Sequence, residues 1–230
     1  MNEYIDFKTF LSVSPNQFGI YLIETKNQNV LYERELETGN ESKTIDFNNL
    51  DKFLEENIFN IEKLINQFVK NIFLIIDHEK IINHTIGTRK KNFNTKQITN
   101  LLAEVKDLFS ENYNNYKIMH IIINKILIDG HYHSKFLSNL EAKDISVEIQ
   151  FIAIPKVITS EYEKILEHYQ IKITSYLGKK YIQNFFEDTK LGIAIMAYKI
   201  QNGHNDNEVK IVSKNKKKQG FFDKFFQLFS

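Results

Sequence analysis

The chain has no cysteine, and its 230 residues include only two prolines and eight glycines. Without cysteine there is no disulfide, no thiolate metal ligand and no cysteine nucleophile. The scarcity of glycine and proline, beside heavy use of Asn, Ile and Lys, reads as the codon bias of an AT-rich genome rather than as function. Residues 1–10 hold Glu3 and Asp6 and no apolar run, so no secretory signal is read there. The expected location is the cytosol or the cytosolic face of a membrane. Neither sign of charge dominates, because the formal net charge is +1.

What is present is a soluble globular balance, 42% hydrophobic and 26% charged, enough for one large domain or two small ones. The charge is unevenly placed. Residues 214–230 carry five lysines and one aspartate, hence +4, which leaves −3 for the rest. A mildly acidic body with a basic tail argues against a general nucleic-acid surface. It favours a tail that seeks anionic lipid headgroups, at about 1 kcal/mol per lysine near the surface.

That tail has a recognisable pattern. Wound as a helix, Phe221, Phe222, Phe225, Phe226, Leu228 and Phe229 share one face, while Asp223, Lys224, Gln227 and Ser230 take the other. Lys214, Lys216, Lys217 and Lys218 form a basic collar upstream. An apolar face with such a collar lies flat in a lipid interface, and it is far short of the ~20 apolar residues that span a bilayer. Interfacial burial of those side chains, with the lysines, is worth roughly 8 kcal/mol gross. Ordering the backbone costs about 1–2 kcal/mol per residue. One tail therefore binds weakly, and stable attachment needs several linked together. The competing reading is a C-terminal helix docked on its own domain.

Upstream, periodicity predicts strands over residues 7–13, 18–24 and 29–35 around polar turns. A helix is predicted over 48–69, with Leu50, Phe53, Leu54, Ile58, Ile61, Leu64, Ile65 and Phe68 on one side and Asn48 or Asn49 as cap. The run 71–76 reads as a buried strand, with 85–88 as its short partner. A second helix begins at Thr95, and strands follow over 116–123, 126–128 and 147–154. Ser160 and Glu163 suit a capping box for a third helix, and 171–177 is a strand. Residues 191–198, apolar all round, read as a buried helix. The polar stretch 201–219 reads as a flexible linker reaching roughly 25 Å.

The chemistry-bearing residues assemble into no recognisable active site. His131 and His133, near Asp129 and His120, have no third ligand at a fixed spacing, so a solvated hairpin tip is preferred to a metal site. His78 and His84 read the same way. Asp77, Glu79, Asp144 and Glu148 form no identifiable acid/base pair. Ser134 and Ser138 lack a glycine-rich nucleophile elbow. Arg89, Lys90 and Lys91, beside Phe93, read as a solvated basic loop. No catalytic, cofactor or metal residue is assigned.

Residues 116–130 run Tyr-Lys-Ile-Met-His-Ile-Ile-Ile-Asn-Lys-Ile-Leu-Ile-Asp-Gly. This resembles the bacterial cell-division FtsA family, in the subdomain inserted into its actin-like fold. His120 and Ile128-Asp129-Gly130 sit at matching places, Val147-Glu148 stands at the family's Leu-Glu, and Ile154-Pro155 follows. Residues 8–35 and the long helix look like the first actin-like strands and helix. Residues 189–198 look like the family's late helix, with Gly192 at its glycine, and the family too ends in a tether and a short amphipathic membrane helix.

The resemblance implies an α/β (α+β) protein: a reduced actin-like, ribonuclease-H-like subdomain with an inserted strand–helix–strand subdomain, then a tether and an amphipathic helix. The implied boundaries are 1–70 plus 171–200 for the actin-like remnant, 71–170 for the inserted interaction subdomain, 201–219 for the linker and 220–230 for the membrane helix. Two departures bear on chemistry. The family's first phosphate loop carries Asp and Gly where this chain has Ser12 and Ser14. The second actin-like half, with its adenosine site and its docking surface for the FtsZ tail, has almost no counterpart between Phe186 and Thr189. The expectation is therefore a non-enzymatic division adaptor without a nucleotide cofactor. It would bind anionic lipids at the cytoplasmic face of the inner membrane, at the division site, and contact division proteins or its own copies. Direct FtsZ binding and nucleic-acid binding are not expected. The alternatives are an actin-like adaptor of a pilus or secretion assembly, and a small soluble enzyme.

Overall fold

The structure is a computed structural model, described here for residues 6–39, 44–136, 141–187 and 189–210. The chain divides into two compact units, one of residues 1–81 with 157–202, the other of 82–156 with 203–230.

The first unit is built on a five-stranded sheet. Its strands are β1 (Phe7–Ser14), β2 (Gln17–Glu24), β3 (Val30–Glu37), β4 (Asn71–Ile76) and β9 (Lys172–Gly178), in the order β3-β2-β1-β4-β9. β1 runs antiparallel to β2 and parallel to β4, and β4 runs parallel to β9. Parallel strands buried on both faces read as continuous apolar runs, as Asn-Ile-Phe-Leu-Ile-Ile does in β4. One face is covered by α1 (Phe47–Ile65), whose Phe53 ring meets Phe18 of β2 and whose Asn57 accepts from Tyr32 of β3 at 2.7 Å. The other is covered by α4 (Lys179–Phe185) and α5 (Ile193–Gln201), whose Ile182, Met196 and Ile200 pack on Phe10, Tyr21, Ile23 and Ile75. The helix α3 (Lys156–His168) presents Tyr162 to the Phe47 ring.

The second unit is an antiparallel sheet of β5 (Ile82–Asn94), β6 (Tyr116–Ile128), β7 (His131–His133) and β8 (Glu141–Pro155), in the order β5-β8-β6-β7. β5 alternates half-buried with exposed residues, the mark of a strand with one wet face. The dry face packs on α2 (Ile98–Asn112) through Leu101, Val105 and Phe109, with Phe109 stacked on Phe151 at 4.5 Å between centroids. Asp129 and Gly130, at φ of 48° and 84°, make the tight hairpin turn from β6 to β7.

Several expectations are corrected. β4 belongs to the five-stranded sheet rather than to the inserted subdomain, and residues 85–88 are the middle of β5, paired with β8. A buried apolar strand does not say which neighbour it pairs with. Asp46, not Asn48 or Asn49, caps α1, with Oδ1 accepting from both their amides at 3.1 Å. Ser160 and Glu163 are interior to α3, which starts directly after β8, so they form no capping box. Residues 116–128 form one strand with two irregularities, not two strands. Arg89, Lys90 and Lys91 lie on β5 and not in a loop, and Phe93 is buried.

The start of the expected linker is also ordered. Asn207 O accepts from the Ile123 amide at 2.9 Å, and the Val209 amide donates to Ile121 O at 2.9 Å. Glu208 bridges Ile122 and Val209 enters the core. A single apolar residue in a polar stretch pins it beside β6 through one isolated bridge. The rest of the linker, from 211, lies outside the described residues.

Candidate functional site

The carboxyl ends of β1, β4 and β9 are where an open α/β sheet with parallel strands presents ligand-binding residues. They are also where the resemblance puts the first phosphate loop. Ser12 is buried within β1, paired with Gly19 of β2 and Ile75 of β4. The β1–β2 turn is closed by its own groups. Ser14 Oγ donates to Gln17 O at 3.0 Å and sits 2.9 Å from Asn16 Oδ1. Thr38, just past β3, ties the tip down: its amide donates to Asn16 O at 3.0 Å and its hydroxyl to Pro15 O at 2.8 Å.

A chain of polar contacts continues from this turn. Lys179 Nζ donates to Gln17 Oε1 at 3.3 Å, Gln17 Nε2 donates to Glu35 Oε2 at 3.1 Å, and the Tyr21 hydroxyl donates to Glu35 Oε1. Gly19 makes room for it, because a Cβ there would collide with the Tyr21 hydroxyl. Burial first, then the Glu35 carboxylate, pushes the Tyr21 phenol far above its ordinary range. Burial lowers the Lys179 ammonium, against the pull of Asp77 and Glu35. Lys180 pairs with Asp77 at 3.4 Å on the exposed side. These groups satisfy one another, so the corner is tied by its own side chains.

In the second unit, the motif residues are brought together in an unforeseen way. The side chain of His120 is fully buried, and its Nδ1 lies 2.6 Å from Glu208 Oε1. Sequence reading missed Glu208 because it sits 88 positions away in a stretch read as linker. Asp129 Oδ1 accepts from the Asp144 amide at 2.8 Å, and the Asp129 amide returns a bond to Asp144 O at 2.8 Å. Arg89 forks onto the Asp144 carboxylate, raising its own pKa and holding Asp144 below the usual carboxylate range. Lys90 pairs with Glu104 of α2 at 2.6 Å. His84 packs on Tyr113, centroids 5.1 Å apart, and is not a solvated turn residue. His78 Nδ1 accepts from the Lys80 amide at 3.0 Å, and burial lowers its pKa. His131 and His133 lie on β7. Among the described residues no three His, Asp or Glu side chains gather closely enough to hold a metal ion.

The residues assigned to membrane contact, Lys214, Lys216, Lys217, Lys218, Phe221, Phe222, Lys224, Phe225, Phe226, Leu228 and Phe229, lie outside the described residues. No helix among the described residues is long and apolar enough to cross a membrane.

No protein-family model and no curated protein matches this chain. Solved structures do. A chain of the PilM–PilN type IV pilus biogenesis complex superposes with a TM-score of 0.50 at 9% identity, over 77% of this chain and 49% of that one. The cytoplasmic domain of EpsL, an inner-membrane component of the type II secretion system of Vibrio cholerae, gives 0.38 at 8% identity, over 77% and 59%. A protein of unknown function with an actin-like ATPase fold from Bacteroides thetaiotaomicron gives 0.28 at 17% identity, over 81% and 58%. The chain spans about half the length of the pilus chain and less than two thirds of the others. The fold class is mixed α/β with two sheets, similar to that of the pilus chain. Within that class the likeness does not single out FtsA.

Proposed function

We propose that this chain is a non-enzymatic adaptor of reduced actin-like fold, peripheral to the cytosolic face of the inner membrane. The observation that carries the reading is the closed corner of the first unit. The place of the first phosphate loop is occupied by a turn stitched by Ser14 and Thr38 and by the line Lys179–Gln17–Glu35–Tyr21. Groups that already satisfy each other are poor ligands for a nucleotide, since binding would first have to break them apart. What remains to the fold is contact: the second unit as the protein-binding module, and residues 214–229 as the lipid anchor, weak singly and firm when several copies are linked.

Two assemblies fit such an adaptor. The order of motifs from His120 to Pro155 and the phenylalanine-rich tail support a role beside division proteins. The fold likeness to a pilus biogenesis complex supports a pilus or secretion machine. A labelled copy followed in cells separates them: midcell bands support division, and foci elsewhere that track pilus or secretion sites support the second. Removing residues 221–230 should release the protein from both. Co-flotation with anionic liposomes that survives this removal would refute the anchor.

A further inference from the structure

β3 is an outer strand of the five-stranded sheet and, among the described residues, pairs on one side only, with β2. Seven of its eight residues are exposed, whereas β1 and β2 are almost wholly buried. Three of the exposed ones are aliphatic: Val30 at 40%, Leu31 at 42% and Leu36 at 36%. The register shifts where β2 passes from Leu22 to Ile23, leaving Leu31 as the bulged residue and Tyr32–Glu37 as a regular run. An outer strand of this kind is a template for another strand.

The two faces of that run differ in chemistry. Glu33, Glu35 and Glu37 pair with Tyr21, Gly19 and Gln17 and so stand on one face, at every second position. Tyr32, Arg34 and Leu36 pair with Leu22, Ile20 and Phe18 and stand on the other. Antiparallel pairing of β3 with a second copy, centred on Glu35 or Arg34, sets glutamate against glutamate, which is destabilising. A strand with lysine or arginine opposite the glutamates and aliphatic residues beside Leu36 and Tyr32 is favoured on both faces.

We propose that the free edge of β3 is a docking site for an extended basic segment of a partner protein, with Lys or Arg at every second position and aliphatic residues between. The added strand draws affinity from main-chain hydrogen bonds and selectivity from the glutamate row. The inference rests on β3 and does not depend on the reading of the second unit.

The test uses the full chain and a fluorescent acetyl-(Lys-Val)4 amide probe, followed by anisotropy. Binding should weaken by at least about tenfold in Glu33→Lys/Glu37→Lys, since two attractive cross-strand pairs become repulsive. It should be unchanged in Glu55→Lys/Glu56→Lys, which reverses two exposed charges on α1. The same peptide with every backbone amide N-methylated keeps its charges and should not bind. Should the first variant melt early, Glu33→Gln/Glu37→Gln replaces it, with a smaller loss in the same direction. Equal weakening by both charge reversals would overturn the proposal, as would undiminished binding of the N-methylated peptide. A concentration-dependent dimer of the unaltered chain that Glu33→Lys/Glu37→Lys abolishes would also overturn it, because the edge would then belong to a second copy.

Discussion

The two units solve the burial of a sheet in opposite ways. In the first, helices cover both faces, so its central strands are mostly buried, Thr9 and Ser12 of β1 among them, and many of its polar groups gather at the strand ends and at β3. In the second, α2 dries one face of an antiparallel sheet, and the other carries Asn83, Thr85, Arg89 and Lys91 in alternation. Polar chemistry in the first unit is therefore concentrated at one corner and tied up there. In the second it runs along the exposed alternate positions of β5.

The difference between the units is largest in their cores. Phe109 and Phe151 belong to a cluster of residues from the second unit, and Phe10 and Ile75 to one from the first. Phe151→Ala removes a fully buried, stacked ring and should cost ~3–5 kcal/mol. Hydrogen exchange should show the loss in amides of 82–156 while those of 1–81 keep their protection. Equal loss in both units would mean one cooperative core.

A step smaller is His120→Ala. It leaves the Glu208 carboxylate without the imidazole that meets it at 2.6 Å, a loss of about 1.5–3 kcal/mol. The amides of Ile123 and Val209 should exchange faster, since their bonds hold residues 207–209 to β6. If they do not, Glu208 is not what holds residues 207–209 in place.

The first unit should answer in the reverse direction at Tyr162. Its side chain is almost fully buried, and its hydroxyl has no partner among the described residues. Tyr162→Phe removes an unsatisfied group and should raise stability by about 1 kcal/mol in urea denaturation. A loss would reveal a hidden partner.

The smallest effect is at Lys179. Burial holds its folded pKa below the usual lysine value of 10.5, so the charged form is penalised by folding. That penalty is fully present at neutral pH and relieved as pH climbs from the folded pKa to 10.5. Lys179→Met should therefore shift stability favourably by no more than about 0.5 kcal/mol, and the gain should vanish as pH approaches 10.5. A gain that grows with pH would contradict the assignment.

The same difference between the units explains what could be read without a structure. β1, β2 and β3 were legible from β-branched and aromatic runs between polar turns, and α1 because its 3.6-residue period survives where one side is buried. β4 was legible as a strand but not as a partner of β1 and β9, since a run buried on all sides carries no mark of its neighbours. β5 was hidden because its wet face places Arg89 and Lys91 where a loop also places charge. α4 was missed altogether, as its seven residues are too few for a period to show. At the candidate site, Ser12 and Ser14 stood out because the resemblance places a phosphate loop there. The line from Lys179 to Tyr21 was invisible, joining residues up to 162 positions apart.

As proposed, the corner at β1, β4 and β9 is closed to nucleotides and the chain works by contact alone. Isothermal titration of the full chain with ATP and magnesium tests it most directly. No binding heat is expected at millimolar nucleotide. A saturable isotherm that Lys179→Met or Asp77→Asn abolishes would contradict it, placing a working nucleotide site where the structure shows a stitched turn.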